Sequence, residues 1–543
     1  MMDGRWTRSM DVDLDVNNLA NDGLGIDRGS VPGFYSGKTI FVTGATGFVG
    51  KVLIEKLLRS CPDIGVIYIL IRPKKSQNIE ERKQELMKCK LFDKLRKEQP
   101  NFERKLQAIE GDIVLPELGL SEKNKQLLIE KINVVFHSAA TVRFDEHLRT
   151  AVELNVLPVR KIIQLCRQFK CLMVLVHVST AYANCDRPYI EESIYEPQVQ
   201  PQKLIDSLQW MDNDMVEAVT PKLLGNKPNT YTFTKQLAEA MLKTEGAGLP
   251  IAVVRPSIVG AAWKEPVQGW IDNSNGPSGL CIAAGKGLLR SMKGDFKAVA
   301  DIIPVDIPVN MMITVAWYTA CFKPKQTLVY NCTTGAVNPI TWGDLQEKVM
   351  DFFKKTPLDA CFRRPNTSFT CNEMMHDYWV FVSHMLPAYV ADVGYRLIGR
   401  KPRMVKVYNK LHRSMESLSY FTSHSWEWTN GNHDLLKSRL SEVDRKMFFF
   451  DPRQIHWPTY IEDFCYGAKH YVLNEDESGL PAARAHLKKL RNIRYMFNTC
   501  IAVVFWRVLI ARSQIARNVW NLILSLVFKF VRYFKITSTI QKP

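Results

Sequence analysis

Hydrophobic positions in the first half of the chain alternate between short apolar runs and longer stretches at helical spacing. Lys38 to Thr43 is a β-branched and aromatic run that stops at glycine, as a buried strand does. Gly47 to Arg59 then carries apolar residues at Phe48, Val52, Leu53, Leu57 and Leu58, a helical pattern. Further apolar runs follow at Val66–Ile71, Leu106–Glu110, Asn133–Ala140 and Leu172–Val178. Tyr231 opens another helix, with Leu237, Ala240 and Met241 on its apolar face, and Pro250–Gly260 is the next strand and loop. Strands alternating with helices in this way predict an α/β fold with a Rossmann-type doubly wound parallel sheet.

The first strand-to-helix turn carries Gly44, Gly47 and Gly50, spaced G-x-x-G-x-x-G. Gly44 permits the sharp turn, and Gly47 lets the backbone approach a pyrophosphate. Gly50 lets helix and strand pack with no Cβ between them. The positive end of the helix then faces the phosphates. Thr43, Thr46, Phe48 and Val49 complete this cofactor loop. The second strand ends in Arg72-Pro73-Lys74-Lys75. A carboxylate at that point would hold a ribose 2′-hydroxyl, whereas an arginine accommodates a 2′-phosphate. NADPH is therefore expected, with Arg72 the main contact and Lys74 or Lys75 secondary. Asp112 and Ile113 follow the third strand; Asp112 either faces the adenine or caps its own loop. Ser138, Ala139 and Ala140 end the fourth strand and leave room for the nicotinamide half. His137, at the end of an apolar strand, reads as structural. Pro256 and Ile258 lie where a loop closes over the nicotinamide.

Leu172–Val178 runs into Ser179 and Thr180, and Tyr231-Thr232-Phe233-Thr234-Lys235 follows about fifty residues later. A spacing of four places Tyr231 and Lys235 one turn apart on one helical face. A free tyrosine titrates near 10 and is a sluggish acid–base at neutral pH. An ammonium beside it favours the phenolate and lowers that value, and the same ammonium can hold the nicotinamide ribose. A hydroxyl from Thr180 or Ser179 would orient a substrate carbonyl oxygen. Tyr231, Lys235 and Thr180 are the expected catalytic set, and no metal-ligand spacing is present.

Taken as a set, these stretches resemble the extended short-chain dehydrogenase/reductases, and more narrowly the alcohol-forming fatty acyl-CoA reductases with a male-sterility-type C-terminal domain. The resemblance is carried by Thr43 to Leu53, Ile69 to Lys74, Phe136 to Phe144 (FHSAATVRF), His177 to Asn184 (HVSTAYAN), Tyr231 to Lys235, Arg255 to Gly260 and Gly269 to Asn273. It implies four-electron reduction of a long-chain fatty acyl-CoA to a primary alcohol, with two NADPH and an aldehyde between. In that reaction Tyr231 protonates the oxygen, Lys235 tunes Tyr231 and holds the ribose, and Thr180 hydrogen-bonds the carbonyl oxygen, Ser179 being the weaker candidate. Two other readings compete: an extended reductase acting on a steroid or sugar nucleotide, and a non-catalytic dinucleotide-binding scaffold. The segment between Thr180 and Tyr231, with an amphipathic stretch from Lys203 to Val219, is long enough to be functional and is read as part of the acyl or CoA entrance.

The rest of the 543-residue chain divides by composition. Residues 1–32 are polar, without an apolar core run, and are expected to be a disordered tail. Residues 33–355 form the NADPH-binding domain with its substrate lobe, 356–477 the helical C-terminal domain, and 478–543 a basic hydrophobic tail. In the third segment, Tyr378–Ile398 is apolar but broken by Pro387 and carries Asp392 and Arg396; it suits either a core helix pair or a membrane surface. Twelve scattered cysteines, with no C-x-x-C, indicate reduced thiols in a cytosol-facing protein.

The tail has no acidic residue and twelve Lys or Arg, so it holds much of the +17 net charge. Its apolar runs, Cys500–Ala511 with Arg507 and Val519–Val531 with Lys529, are each short of the about 20 residues of a clean span. Met496–Ile515 crosses once, or both runs enter from one side as a hairpin or interfacial helices, with the cations against anionic headgroups. Membrane attachment through this tail is expected, at the endoplasmic reticulum, peroxisome or lipid droplet. The basic residues are interleaved with long aliphatics and no nucleic-acid module is visible, so nucleic acid is not an expected partner. A homo-oligomer is left open.

Overall fold

The computed structural model describes residues 29–540 except position 75; most of the N-terminal segment expected to be disordered, and Lys75, lie outside the described residues. The folded part starts ahead of the expected boundary at 33. Val31–Tyr35 is a short helix whose first turn is capped by Ser30, and Val31 and Tyr35 are fully buried. The Tyr35 hydroxyl donates to the Ile313 carbonyl at 2.8 Å.

The chain forms two compact units that interleave along the sequence, where the composition suggests consecutive segments. Unit 1 takes the chain up to Ser257, then Val305–Thr333 and Glu427–Pro452. Unit 2 takes Ile258–Pro304, Thr334–Trp426 and Arg453 onward. The physical reason is strand pairing: Leu328–Cys332 hydrogen-bonds to Ile251–Pro256 at the edge of the unit 1 sheet, and Glu427–Trp428 pairs with Tyr189–Ile190.

Unit 1 is built on seven strands: β1 (Ile40–Thr43), β2 (Ile67–Ile71), β3 (Leu106–Glu110), β4 (Val134–His137), β5 (Val174–Val178), β6 (Ile251–Pro256) and β7 (Leu328–Cys332). Their order is β7-β6-β5-β4-β1-β2-β3, every pair parallel. β1, β2, β4 and β5 are buried along their whole length, which is why they read as unbroken apolar runs rather than as an alternation. The strand order reverses between β1 and β4, and in open α/β sheets ligands bind at the carboxyl ends of the strands at that point. Thr43 pairs there with His137, and His137 with His177.

Three helices matter for the site: α1 (Phe48–Ser60), α2 (Thr230–Thr244) and α3 (Asp306–Phe322). α3 is buried from Asp306 to Ala320 and packs on β5, β6 and α1; a helix apolar all round belongs in a core. The amphipathic stretch expected over Lys203–Val219 is two helices, Pro201–Trp210 and Asn213–Leu224. Asp212 separates them, because its carboxylate accepts from the Met215 N–H at 2.8 Å and caps the second.

Unit 2 is mostly helical, with short parallel strand pairs Ile258–Gly260 with Ile302–Pro304 and Ser291–Lys293 with Ser368–Thr370. Glu373 to Leu397 is one helical run despite Pro387, with a π turn at Phe381–Met385. That turn ends two residues before Pro387 and overlaps the preceding turn, where proline's missing N–H and bulky ring would otherwise disrupt an α-helix. The chain closes with helices Leu480–Arg512 and Gln514–Ile540, broken at Ser513, with Trp506 edge-on to Trp520 at 5.9 Å. Residues 477–512 form the one helix, among the described residues, long and apolar enough to cross a membrane.

Candidate active site

The glycine turn follows β1 directly, and close backbone approach explains two of its three glycines. Gly44 has φ +77°, and a Cβ there would lie 2.7 Å from the Ala139 nitrogen. A Cβ on Gly50 would lie 2.2 Å from the Gly44 carbonyl oxygen, so helix and loop touch backbone to backbone. Gly47 is the N-cap of α1, which has no side-chain cap and no acidic residue in its first turn. An uncapped helix start suits a phosphate, so the loop fits a dinucleotide. Thr43 is fully buried; its hydroxyl hydrogen-bonds His137 Nδ1 at 2.7 Å and accepts from the Ala139 N–H at 3.3 Å. Thr46, Phe48 and Val49 are half-buried around the turn, as are Ser138, Ala139 and Ala140 beside it.

Arg72 and Lys74 are exposed beyond β2. The Arg72 guanidinium lies 3.8 Å from the Asp112 carboxylate, and Arg82 donates to the Arg72 carbonyl. Asp112 also accepts from the Val114 N–H at 3.1 Å, a loop cap; Ile113 is half-buried, its carbonyl taking Lys161 at 3.0 Å. Arg82 is a basic neighbour that the sequence pattern does not single out, because it falls in a surface helix, Ile79–Met87.

Tyr231, Lys235 and Thr180 come together. Tyr231 lies in the first turn of α2 and Lys235 one turn on; Thr180 follows β5. The Thr180 hydroxyl hydrogen-bonds Tyr231, donates weakly to the Pro256 carbonyl at 3.5 Å and accepts from the Tyr182 N–H at 3.3 Å. Ser179 is also buried, and its hydroxyl meets no partner among the described residues. Ile258 belongs to unit 2, on the short strand that pairs with Ile302.

The electrostatics differ from the expected lowering of the tyrosine. Burial pushes Tyr231 up to about 12, against a smaller downward pull from the Thr180 hydrogen bond. Lys235 is buried and donates to the Val178 carbonyl at 2.9 Å; burial lowers it to about 8, with Glu239 acting upward. Removal of water from the phenol thus outweighs any help from the lysine, and Tyr231 stays a protonated acid across neutral pH.

Several supporting residues escape the sequence pattern. Asn155 accepts from the Thr141 N–H at 2.9 Å and donates to the Thr234 hydroxyl at 3.0 Å, tying the loop after β4 to the helix between Tyr231 and Lys235. The Phe144 ring lies against Tyr231 at 5.5 Å. His137 and His177 form a buried pair, rings 5.3 Å apart. Burial, with Lys235 nearby, lowers His137 to about 3 and His177 well below the ordinary histidine value, so both are neutral. His137, Thr141 and Phe144 lie in the FHSAATVRF stretch and His177 opens HVSTAYAN, but the spacing within those stretches does not show these contacts, since each reaches a segment distant in sequence.

Unit 2 encloses a separate apolar cavity of about 70 Å³. Leu280, Ala284, Met292, Trp342, Met350 and Phe464 are among its walls. It suits a small length of hydrocarbon rather than a polar ligand.

The NAD-binding profile described as male sterility protein matches residues 42–312, and a second profile of the same description matches residues 383–475. Fatty acyl-CoA reductase 1 of Xenopus laevis is 56% identical over 512 residues, covering 94% of this chain and 99% of that one. Fatty acyl-CoA reductase 1 of Homo sapiens is 53% identical and fatty acyl-CoA reductase 2 of Bos taurus 49%, each with the same coverage. Among solved structures, the terminal R domain of the myxalamid biosynthetic pathway aligns with a TM-score of 0.53 at 20% identity, over 80% of this chain and 91% of that one. The reductase domain of a nonribosomal peptide synthetase from Mycobacterium tuberculosis aligns with a TM-score of 0.52 at 16% identity, over 81% and 94%. These two likenesses concern the fold.

Proposed function

The chain belongs to the male sterility family of fatty acyl-CoA reductases, and from that premise we propose that it reduces long-chain fatty acyl-CoA to the primary alcohol and CoA, with NADPH as the reductant and Thr180, Tyr231 and Lys235 as the working groups. The observation that carries this reading is the half-buried, still protonated Tyr231, hydrogen-bonded to Thr180 at the end of the sheet where the glycine turn lies. NADPH rather than NADH follows from Arg72 and Lys74, with no carboxylate at the end of β2 to claim a ribose hydroxyl.

A bound nicotinamide supplies the hydride to the carbonyl carbon. The Thr180 hydroxyl orients the carbonyl oxygen, and Tyr231 gives that oxygen its proton. Phe144 packs against the Tyr231 ring and helps keep water from the phenol. After the first addition the hydroxyl proton returns to Tyr231 as the carbon–sulfur bond breaks, CoA leaves as a thiolate that takes its proton from solvent, and a second NADPH replaces the spent nucleotide. The aldehyde then takes the same two contacts for the second addition. Lys235, one turn below Tyr231 and anchored on the Val178 carbonyl, keeps a cation under the site and is placed to hold the ribose. The helices from Leu480 onward, cationic and apolar together, support membrane attachment with the catalytic unit on the cytosolic side.

The decisive experiment is lipid extraction from cells expressing the chain, with Tyr231→Phe as control. Long-chain alcohols that appear with the parent and vanish with the variant, while the purified variant still binds NADPH, support the reading. Alcohol formation at the parental rate by Tyr231→Phe would falsify it.

A further inference from the structure

The helical run from Glu373 to Leu397 is turned inside out. Its most deeply buried positions are polar or small, with His384 and Ala388 fully buried and Asp392 nearly so, while Met385 and Tyr395 are partly buried beside Ala388. His384 Nε2 accepts from the Arg290 N–H at 2.9 Å, and Nδ1 hydrogen-bonds His412 at 2.9 Å. The Asp392 carboxylate accepts from the N–H groups of Arg403, Met404 and Val405 at 2.8–3.0 Å, capping the helix that follows. The outward face is apolar, with Met374, Tyr378, Trp379, Val390, Val393 and Leu397 all exposed. Met374 is 84% and Leu397 83% exposed. Phe381, Leu386 and Tyr389 are exposed between Trp379 and Val390, so exposed apolar side chains run the length of the helix.

A helix on the surface of a soluble protein shows the reverse arrangement, and a contiguous apolar patch of this kind marks a binding surface. Charge indicates what covers it. The stripe ends in Arg396, Arg400, Lys401 and Arg403, all exposed. At its other end are Glu373, neutralised by Lys293 at 2.7 Å, and Asp377. Cations at one end of an exposed apolar stripe, with Tyr and Trp among the apolar residues, match the headgroup layer of an anionic bilayer. The C-terminal helices of the same unit carry the same combination of exposed apolar side chains and cations.

We propose that the outward face of Glu373–Leu397 lies in the interfacial layer of an anionic phospholipid membrane, as a second contact distinct from the helices after Leu480. The proposal does not depend on the reaction assigned above, and its test reads no activity. In the full chain, a small environment-sensitive fluorescent amino acid replaces Val390, Leu397 or, as a control, the exposed Glu347. Each protein is bound to vesicles of phosphatidylcholine and phosphatidylserine. The expected result is a blue shift at 390 and 397 with quenching by spin-labelled acyl chains, and neither effect at 347. A water-like spectrum at 390 and 397 on vesicle-bound protein overturns the proposal. So does a blue shift that appears without vesicles and grows with protein concentration, because a second copy then covers the face. Equal quenching on phosphatidylcholine alone overturns the part assigned to the cations.

Discussion

Glu239 holds Arg255 through two hydrogen bonds, 2.8 Å to Nε and 2.6 Å to Nη2, with both side chains buried. Arg255 makes two further hydrogen bonds, to the Glu191 and Ser193 carbonyls at 3.0 and 2.7 Å. Glu239 stands one turn beyond Lys235, so this pair fixes α2, and with it Tyr231, against β6. Breaking a buried pair leaves an uncompensated charge and costs about 3–5 kcal/mol. Glu239→Ala is expected to lose that much stability in denaturant unfolding. Glu239→Gln, which keeps a hydrogen-bonding side chain, is expected to lose less. Equal stability of Glu239→Ala and the parent would refute the pinning role.

Thr180→Val keeps the shape of the side chain and removes its hydroxyl. Loss of one donor to a developing oxyanion costs on the order of 10²-fold in kcat. That drop is expected with acyl-CoA and with added aldehyde, with NADPH binding unchanged. A kcat near the parental value would move the role to Ser179, whose hydroxyl is buried and without a partner among the described residues.

His137 makes the protein acid-sensitive. Its folded value of about 3 lies below the ordinary 6.5, so as pH falls the unfolded chain takes up the proton first. Its contribution is intact above about 6.5 and is lost progressively as pH falls toward 3. At pH 5 the loss is about 2 kcal/mol, and His177 acts in the same direction. Unfolding free energies at pH 7 and pH 5 should differ by at least that much, and less in His137→Asn. An unchanged difference in the variant would place the acid sensitivity elsewhere.

Arg72 is two-thirds exposed, and its link to Asp112 is long, so it is available to a 2′-phosphate at little cost. Arg72→Glu is expected to weaken NADPH binding by roughly 10–100-fold, the worth of a charge-assisted contact, with a smaller effect on NADH. Titration of nucleotide fluorescence measures both; a parallel change in the two affinities would remove Arg72 from the selectivity.

Ala284 lines the apolar cavity of unit 2. Ala284→Leu fills part of that space, and thermal stability is expected to be kept or raised, as cavity filling does. A clearly lower Tm in thermal unfolding would show that the cavity has no room for the added side chain.

Much of this protein is legible as local pattern. Strands β1, β2, β4 and β5 fall inside their apolar runs, because a strand buried on both faces reads as apolar throughout; β3 is half exposed and carries Gln107 and Glu110. The glycine turn and the Tyr231–Lys235 spacing are equally local, since each depends on residues within one turn of chain. What was not legible depends on distant segments. The sequence places an ammonium near Tyr231 and suggests a lowered phenol; the fold surrounds that phenol with protein and raises it. Glu239 and Arg255 look like ordinary charges until α2 and β6 meet. Glu373–Leu397 has one set of apolar positions whether it faces a core or a lipid surface, and only the packing of His384, Ala388 and Asp392 inward decides which. Spacing along the chain determines which side chains share a face, but desolvation and the choice of buried face are set by whatever packs against them, and that is a property of the tertiary structure alone.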